Sequence, residues 1–138
     1  MKRIIGLYGA ANVGKTHSLR MLIEMIAHEL GNEIEHQEIS DKKFTFIVNG
    51  KTVCICPAGD NGYEIGKAIE YVNQNNFDVA IFGSRSKGEP ANRLNAFVSE
   101  CGFESVEWRQ CPNTKYWPGD LRTEVEMATA KMLRRMID

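Results

Sequence analysis

Eight consecutive residues, Gly9-Ala10-Ala11-Asn12-Val13-Gly14-Lys15-Thr16, constrain this chain more than any other stretch. They follow a short apolar run, Arg3 to Tyr8, and precede a segment in which Leu19, Leu22, Ile23, Ile26 and Leu30 recur at helical spacing. The run predicts a buried strand and the periodic segment a helix, which Gly31 and Asn32 stop. The eight residues between them predict a glycine loop. In such a loop the glycines let the backbone curl so that successive N–H groups point inward, and the helix N-terminus adds partial positive charge. A loop of this kind is built to hold an anion.

The segment fits G-x-x-x-x-G-K-[ST] at every position, in the strand-to-helix context that the pattern requires. In that geometry the Lys15 ammonium reaches the β- and γ-phosphates of a nucleotide, and the Thr16 hydroxyl lies on the Mg²⁺ that bridges them. Through Gly9, Gly14, Lys15 and Thr16 the chain resembles the P-loop NTPase superfamily, specifically over residues 1–31 and only architecturally beyond them. The resemblance implies ATP or another nucleoside triphosphate with Mg²⁺. Its phosphates would lie in a cradle formed by Gly9, Ala10, Ala11, Asn12, Val13, Gly14, Lys15, Thr16 and the adjoining His17. Read by themselves, His17, His28 and His36 have no partner spacing and look like surface or packing residues.

The rest of the sequence predicts the frame around this loop. Phe44 to Val48 and Thr52 to Cys56 flank Asn49-Gly50, a dipeptide that tolerates positive φ and favours a tight hairpin. The polar stretch from Glu33 to Ser40 reads as either an edge strand or a connection. Ile65, Ala68, Ile69 and Val72 share one helical face behind the capping pair Asn61 and Glu64. Asp78 to Phe82 is a short apolar strand, and Pro90 opens a helix carrying Leu94, Phe97, Val98 and Cys101. A last strand takes in Phe103, Val106 and Trp108, and a last helix carries Leu121, Val125, Ala128, Met132 and Met136 on its apolar side. This alternation predicts an α/β protein with the three-layer P-loop fold, a mainly parallel sheet including one β-hairpin and helices on both faces. Residues 1–138 are expected to form one nucleotide-binding domain, with ligand at the C-terminal ends of the strands.

Catalysis needs a carboxylate near the metal and a group that positions the attacking oxygen. Val53-Cys54-Ile55-Cys56 leads through Pro57-Ala58-Gly59 to Asp60, whereas Val79-Ala80-Ile81-Phe82 leads to Gly83-Ser84, so only the first offers an acid. Asp60 is a candidate for the Mg²⁺ shell or for orienting water, and equally a turn residue at the start of a helix. The hairpin followed by Ala58-Gly59 looks like the arrangement in small GTPases, but Cys56 stands where their metal-linked Asp belongs. The guanine-reading Asn-Lys-x-Asp is also missing, which favours ATP over GTP. Arg85, in the basic loop Ser84-Arg85-Ser86-Lys87-Gly88, is placed to stabilise phosphate charge. In the loop after the last strand, Asn113 and Lys115 are candidates for touching the base, while Tyr116 and Trp117 read first as core aromatics and second as stacking partners.

Composition narrows the alternatives. Seventeen basic residues against eighteen acidic ones give a net charge of −1, so no overall field attracts nucleic acid. No stretch approaches the roughly 20 apolar residues of a membrane-spanning helix. Gly6, Gly9, Asn12 and Lys15 interrupt the N-terminal apolar run too early for a signal peptide. Cys54, Cys56, Cys101 and Cys111 lack C-x-x-C spacing and read as buried thiols. A cytoplasmic protein is expected, with a nucleoside triphosphate as partner and a protein partner open. Hydrolysis, with Lys15, Asp60 and Arg85 as the catalytic set, leads two other functions: a small phosphotransferase, or a nucleotide-binding switch with little turnover.

Overall fold

The computed structural model describes residues 2–9, 14–39, 42–85, 87–102 and 105–138. The chain runs β1 (Arg3–Tyr8), α1 (Lys15–Glu29), α2 (His36–Ile39), β2 (Phe44–Val48), β3 (Lys51–Cys56), α3 (Gly62–Gln74), β4 (Val79–Ser84), α4 (Glu89–Glu100), β5 (Glu107–Gln110) and α5 (Gly119–Ile137). The strands form one five-stranded sheet in the order β2-β3-β4-β1-β5. β3, β4, β1 and β5 are mutually parallel, and β2 pairs antiparallel with β3. The α/β class and the mainly parallel sheet with one hairpin therefore stand as the sequence predicts.

The hairpin turns at Asn49 (φ 51°) and Gly50 (φ 79°), the two positive φ values that match the twist of the flanking strands. It places the antiparallel strand at the edge of the sheet. The polar stretch from Glu33, an edge strand or a connection by its sequence, is a connection with one helical turn, α2, up to Ile39; Ser40 lies outside the described residues. The strand predicted around Trp108 begins at Glu107; Phe103 lies outside the described residues.

Side chains alternate across the sheet with period 2 and feed two separate cores. Ile5, Leu7, Val53, Ile55, Val79 and Ile81 pack with Leu19, Leu22, Ile23 and Ile26 of α1 and Ala130, Leu133 and Ile137 of α5. Ile4, Cys54, Cys56, Ala80 and Phe82 pack on the opposite face with Ile65, Ala68 and Val72 of α3 and Leu94, Phe97 and Val98 of α4. Helices thus cover both faces. Cys54 and Cys56 share a face and are buried, free thiols, as expected.

One expectation about packing needs correcting. The buried positions of α5 are Glu126, Thr129, Ala130, Leu133 and Ile137, whereas Leu121 and Ala128 are exposed. Two stripes of helical periodicity run along this amphipathic segment; the one carrying a glutamate is the fully buried one, while Met132 and Met136 of the expected stripe are partly buried against the same core. The consequence is a carboxylate delivered to the region of the glycine loop.

Candidate functional site

Strand order places the site. β1 lies between β4 and β5; α1, which follows β1, packs on one face of the sheet and α4, which follows β4, on the other, so a crevice opens beyond the carboxyl ends of these two neighbouring strands. Gly9 occupies that end, where its amide donates to the Ser84 carbonyl at 3.3 Å. Ala10, Ala11, Asn12 and Val13, the middle of the expected cradle, lie outside the described residues. Beyond them Gly14 caps α1 in the left-handed conformation, with φ 104° and ψ 7°. A side chain there would be strained by that φ and would also bring its Cβ to 2.8 Å from Glu126 Oε2.

Lys15 starts the helix and is only 6% exposed. Its ammonium donates to Asp60 Oδ1 at 2.8 Å and to the Ser84 carbonyl at 2.9 Å. Burying an ammonium without such oxygens is strongly unfavourable, so the pair of acceptors fixes where its head group sits. Arg85 Nε lies 3.9 Å from the same Asp60 oxygen. The three residues expected to carry chemistry, from three widely separated segments, therefore meet around one carboxylate.

Asp60 reaches Lys15 because two glycines let two loops touch. A Cβ on Gly59 would overlap the carbonyl oxygen of Gly83, and one on Gly83 would sit 2.5 Å from the carbonyl oxygen of Pro57. The loop after β3 thus lies directly on the end of β4, beside Ser84. The helix-start role open to Asp60 belongs to its neighbour: Asn61 Oδ1 accepts from the Glu64 amide at 2.9 Å. Asp60, half exposed, is left to the cation.

Two clefts adjoin this cluster. One is lined by Gly14, Lys15, Thr16, His17, Asp60 and Arg122, the other by Thr16, Ala58, Gly59, Asp60, Asn61 and Glu64. Thr16 and Asp60 belong to both. A hydroxyl and a carboxylate are hard oxygen ligands that suit one or two positions of a Mg²⁺ ion whose remaining ligands are phosphate and water. They fit the metal that the loop pattern implies.

Sequence reasoning missed Glu126 and Arg122, which approach from α5. Glu126 is 5% exposed, and its Oε2 accepts no hydrogen bond among the described residues. The exposed His17 brings Nδ1 to 3.4 Å from that oxygen. The signal was present in the spacing: Glu126 falls in register with Ala130, Leu133 and Ile137, but reading it required choosing the buried stripe. Cys111 also lies nearby, its amide bonded to the Tyr8 carbonyl at 2.8 Å. Burial pushes its thiol up, while Ser18 and the Lys15 charge pull in the other direction.

The loop between β5 and α5 behaves differently from expectation. Tyr116 is 89% and Trp117 49% exposed, so neither serves the core. Asn113 Oδ1 accepts from the Lys115 amide at 3.2 Å, and the Lys115 ammonium lies 5.4 Å from the centre of the Tyr116 ring. Asn113, Lys115, Tyr116 and Trp117 are not among the residues lining the two clefts.

No protein-family model, curated protein or solved structure matches this chain. No helix among the described residues is long and apolar enough to cross a membrane.

Proposed function

We propose that the chain is a P-loop protein of three-layer architecture that binds a nucleoside triphosphate with Mg²⁺ and hydrolyses it, with ATP preferred to GTP. The observation that carries this reading is the buried Lys15 ammonium at the start of α1, held by Asp60 and the Ser84 carbonyl in the crevice beyond β1. A polyphosphate offers that ammonium far more negative charge than one carboxylate does, so its phosphates would take over the cation and release Asp60. Asp60 is then free to accept from metal-bound or attacking water. Arg85, already beside Asp60, is placed to meet charge on the terminal phosphate. The ATP preference rests on the absence of the Asn-Lys-x-Asp guanine reader from the sequence.

One observation favours a second reading. β4, the strand beside β1 on the crevice side, ends at Ser84 and carries no acid of its own. A nucleotide-dependent binding module with negligible turnover suits that end better than a fast hydrolase does.

Phosphate release separates the two. With Mg²⁺ and ATP, hydrolysis predicts release by the unaltered chain and roughly 100-fold less by Asp60→Asn, with nucleotide affinity retained in that variant. Equal release by the unaltered chain and Lys15→Ala would contradict hydrolysis and leave the binding module.

A further inference from the structure

Around the Lys15 cleft the charges are unequally matched. Lys15 is engaged by Asp60, and Arg85 stands near the same carboxylate. Arg122, on the first turn of α5, lines the cleft from the other side. Its side chain is part-buried, and its Nε is shut off from solvent without a hydrogen-bond acceptor among the described residues. Its backbone is conventionally placed, the amide donating to the Pro118 carbonyl at 3.0 Å. Glu126 stands one helical turn on, yet its Oε2 lies against Gly14 and His17, and no ion pair within 4.0 Å joins it to Arg122 among the described residues.

A guanidinium keeps its charge at all working pH values, so it cannot relieve burial by losing a proton. It needs an anion, and its planar fork of N–H donors matches phosphate oxygens two at a time. The neighbouring surface is a helix start with Thr16 and His17, where anions are already favoured. We infer that Arg122 is a phosphate-contacting residue of the nucleotide site, which makes the C-terminal helix α5 a wall of that site. The inference rests on the nucleotide reading above. It adds a cation from the far end of the chain, opposite Asp60 and Arg85, so that bound polyphosphate is gripped between the ends of β3 and β4 and the first turn of α5. Docking of α5 on α1 then becomes coupled to ligand, because Arg122 and the core residues Ala130, Leu133 and Ile137 lie on the same helix.

Calorimetric titration with Mg²⁺ and ATP, and with Mg²⁺ and GTP, tests this on the unaltered chain, Arg122→Ala, Arg122→Lys and, as a control on α4 against the other face of the sheet and outside both clefts, Arg93→Ala. Arg122→Ala is expected to bind roughly tenfold to a hundredfold more weakly, Arg122→Lys to recover part of the loss, and Arg93→Ala to match the unaltered chain. Equal affinity of Arg122→Ala and the unaltered chain overturns the role of Arg122 and leaves the nucleotide reading intact. Absence of affinity in the unaltered chain removes the nucleotide reading and the inference with it. A second measurement needs no variant: phenylglyoxal modification of Arg122, followed by peptide mass spectrometry, is expected to slow when Mg²⁺ and nucleotide are present. An unchanged rate at saturating nucleotide overturns the contact.

Discussion

A lysine head group nearly removed from water is retained at Lys15 because two oxygens meet it, not because burial favours it. Such an arrangement exists for a ligand more readily than for stability, since Asp60, the charge left behind when Lys15 is removed, is half exposed and stays solvated beside Arg85. Lys15→Met is therefore expected to leave the melting temperature of the ligand-free chain unchanged or higher while removing nucleotide affinity. A large drop in melting temperature would assign Lys15 a structural role instead. The thiols give a second test at this scale. Burial pushes Cys56 up to about 12 and raises Cys54 and Cys111 as well, and only Cys101 is partly accessible. A thiol reacts as its thiolate, so iodoacetamide on the native chain should label Cys101 alone, and slowly; labelling of the other three should follow unfolding. Lys15, Thr16 and Asp60 were legible in the sequence because a motif and a strand end mark them. Arg122 and Glu126 were not, since their relation to Gly14 is created by a helix more than a hundred residues along the chain.

Elements are joined at two places that local periodicity does not reveal. The Gly59 and Gly83 backbones touch, and that contact sets the distance between Asp60 and Lys15. Gly59→Ala forces a methyl group into a carbonyl and is expected to destabilise the chain by about 2 kcal/mol or more, read by urea denaturation. No loss would mean that the loops separate freely. The second joint is Arg3 of β1, which makes two hydrogen bonds of 2.9 Å to the Glu107 carboxylate on β5 and donates also to the Met136 carbonyl near the end of α5. That hydrogen-bonded guanidinium holds the Glu107 carboxyl below its usual range. The folded value lies under the unfolded one, so the contribution is complete above the unfolded carboxylate range and is lost as pH falls through the folded value. Both side chains are partly in water, which limits the pair to about 0.5 kcal/mol. The stability difference between the unaltered chain and Glu107→Gln should hold at pH values above the ordinary carboxylate range and shrink toward zero as pH falls below it. A difference independent of pH would contradict the pairing. Helix and strand existence was legible here through local periodicity and through the Asn49-Gly50 turn. The inward stripe of α5 was not, because it is decided by what α1 presents to it.

For the whole molecule, the sequence disclosed the class and concealed the order. Alternating strands and helices implied a mostly parallel sheet, but parallel pairings join distant segments, and nothing local says that β4 inserts between β3 and β1. That order matters, since it brings the Ser84 carbonyl, rather than an acid, beside the glycine loop and leaves Asp60 to arrive from one strand further away. The resulting crevice gathers Lys15, Thr16, Asp60 and Arg122 in a chain whose net charge is only −1, so on the proposed function the attraction for an anion is local to one end of the sheet. The most direct test of this account is calorimetric titration of the chain and of Lys15→Ala with ATP and GTP, each with and without Mg²⁺. The account predicts Mg²⁺-dependent nucleotide binding that weakens roughly a hundredfold in Lys15→Ala. The same affinity in both chains, or no binding of either nucleotide, would contradict it.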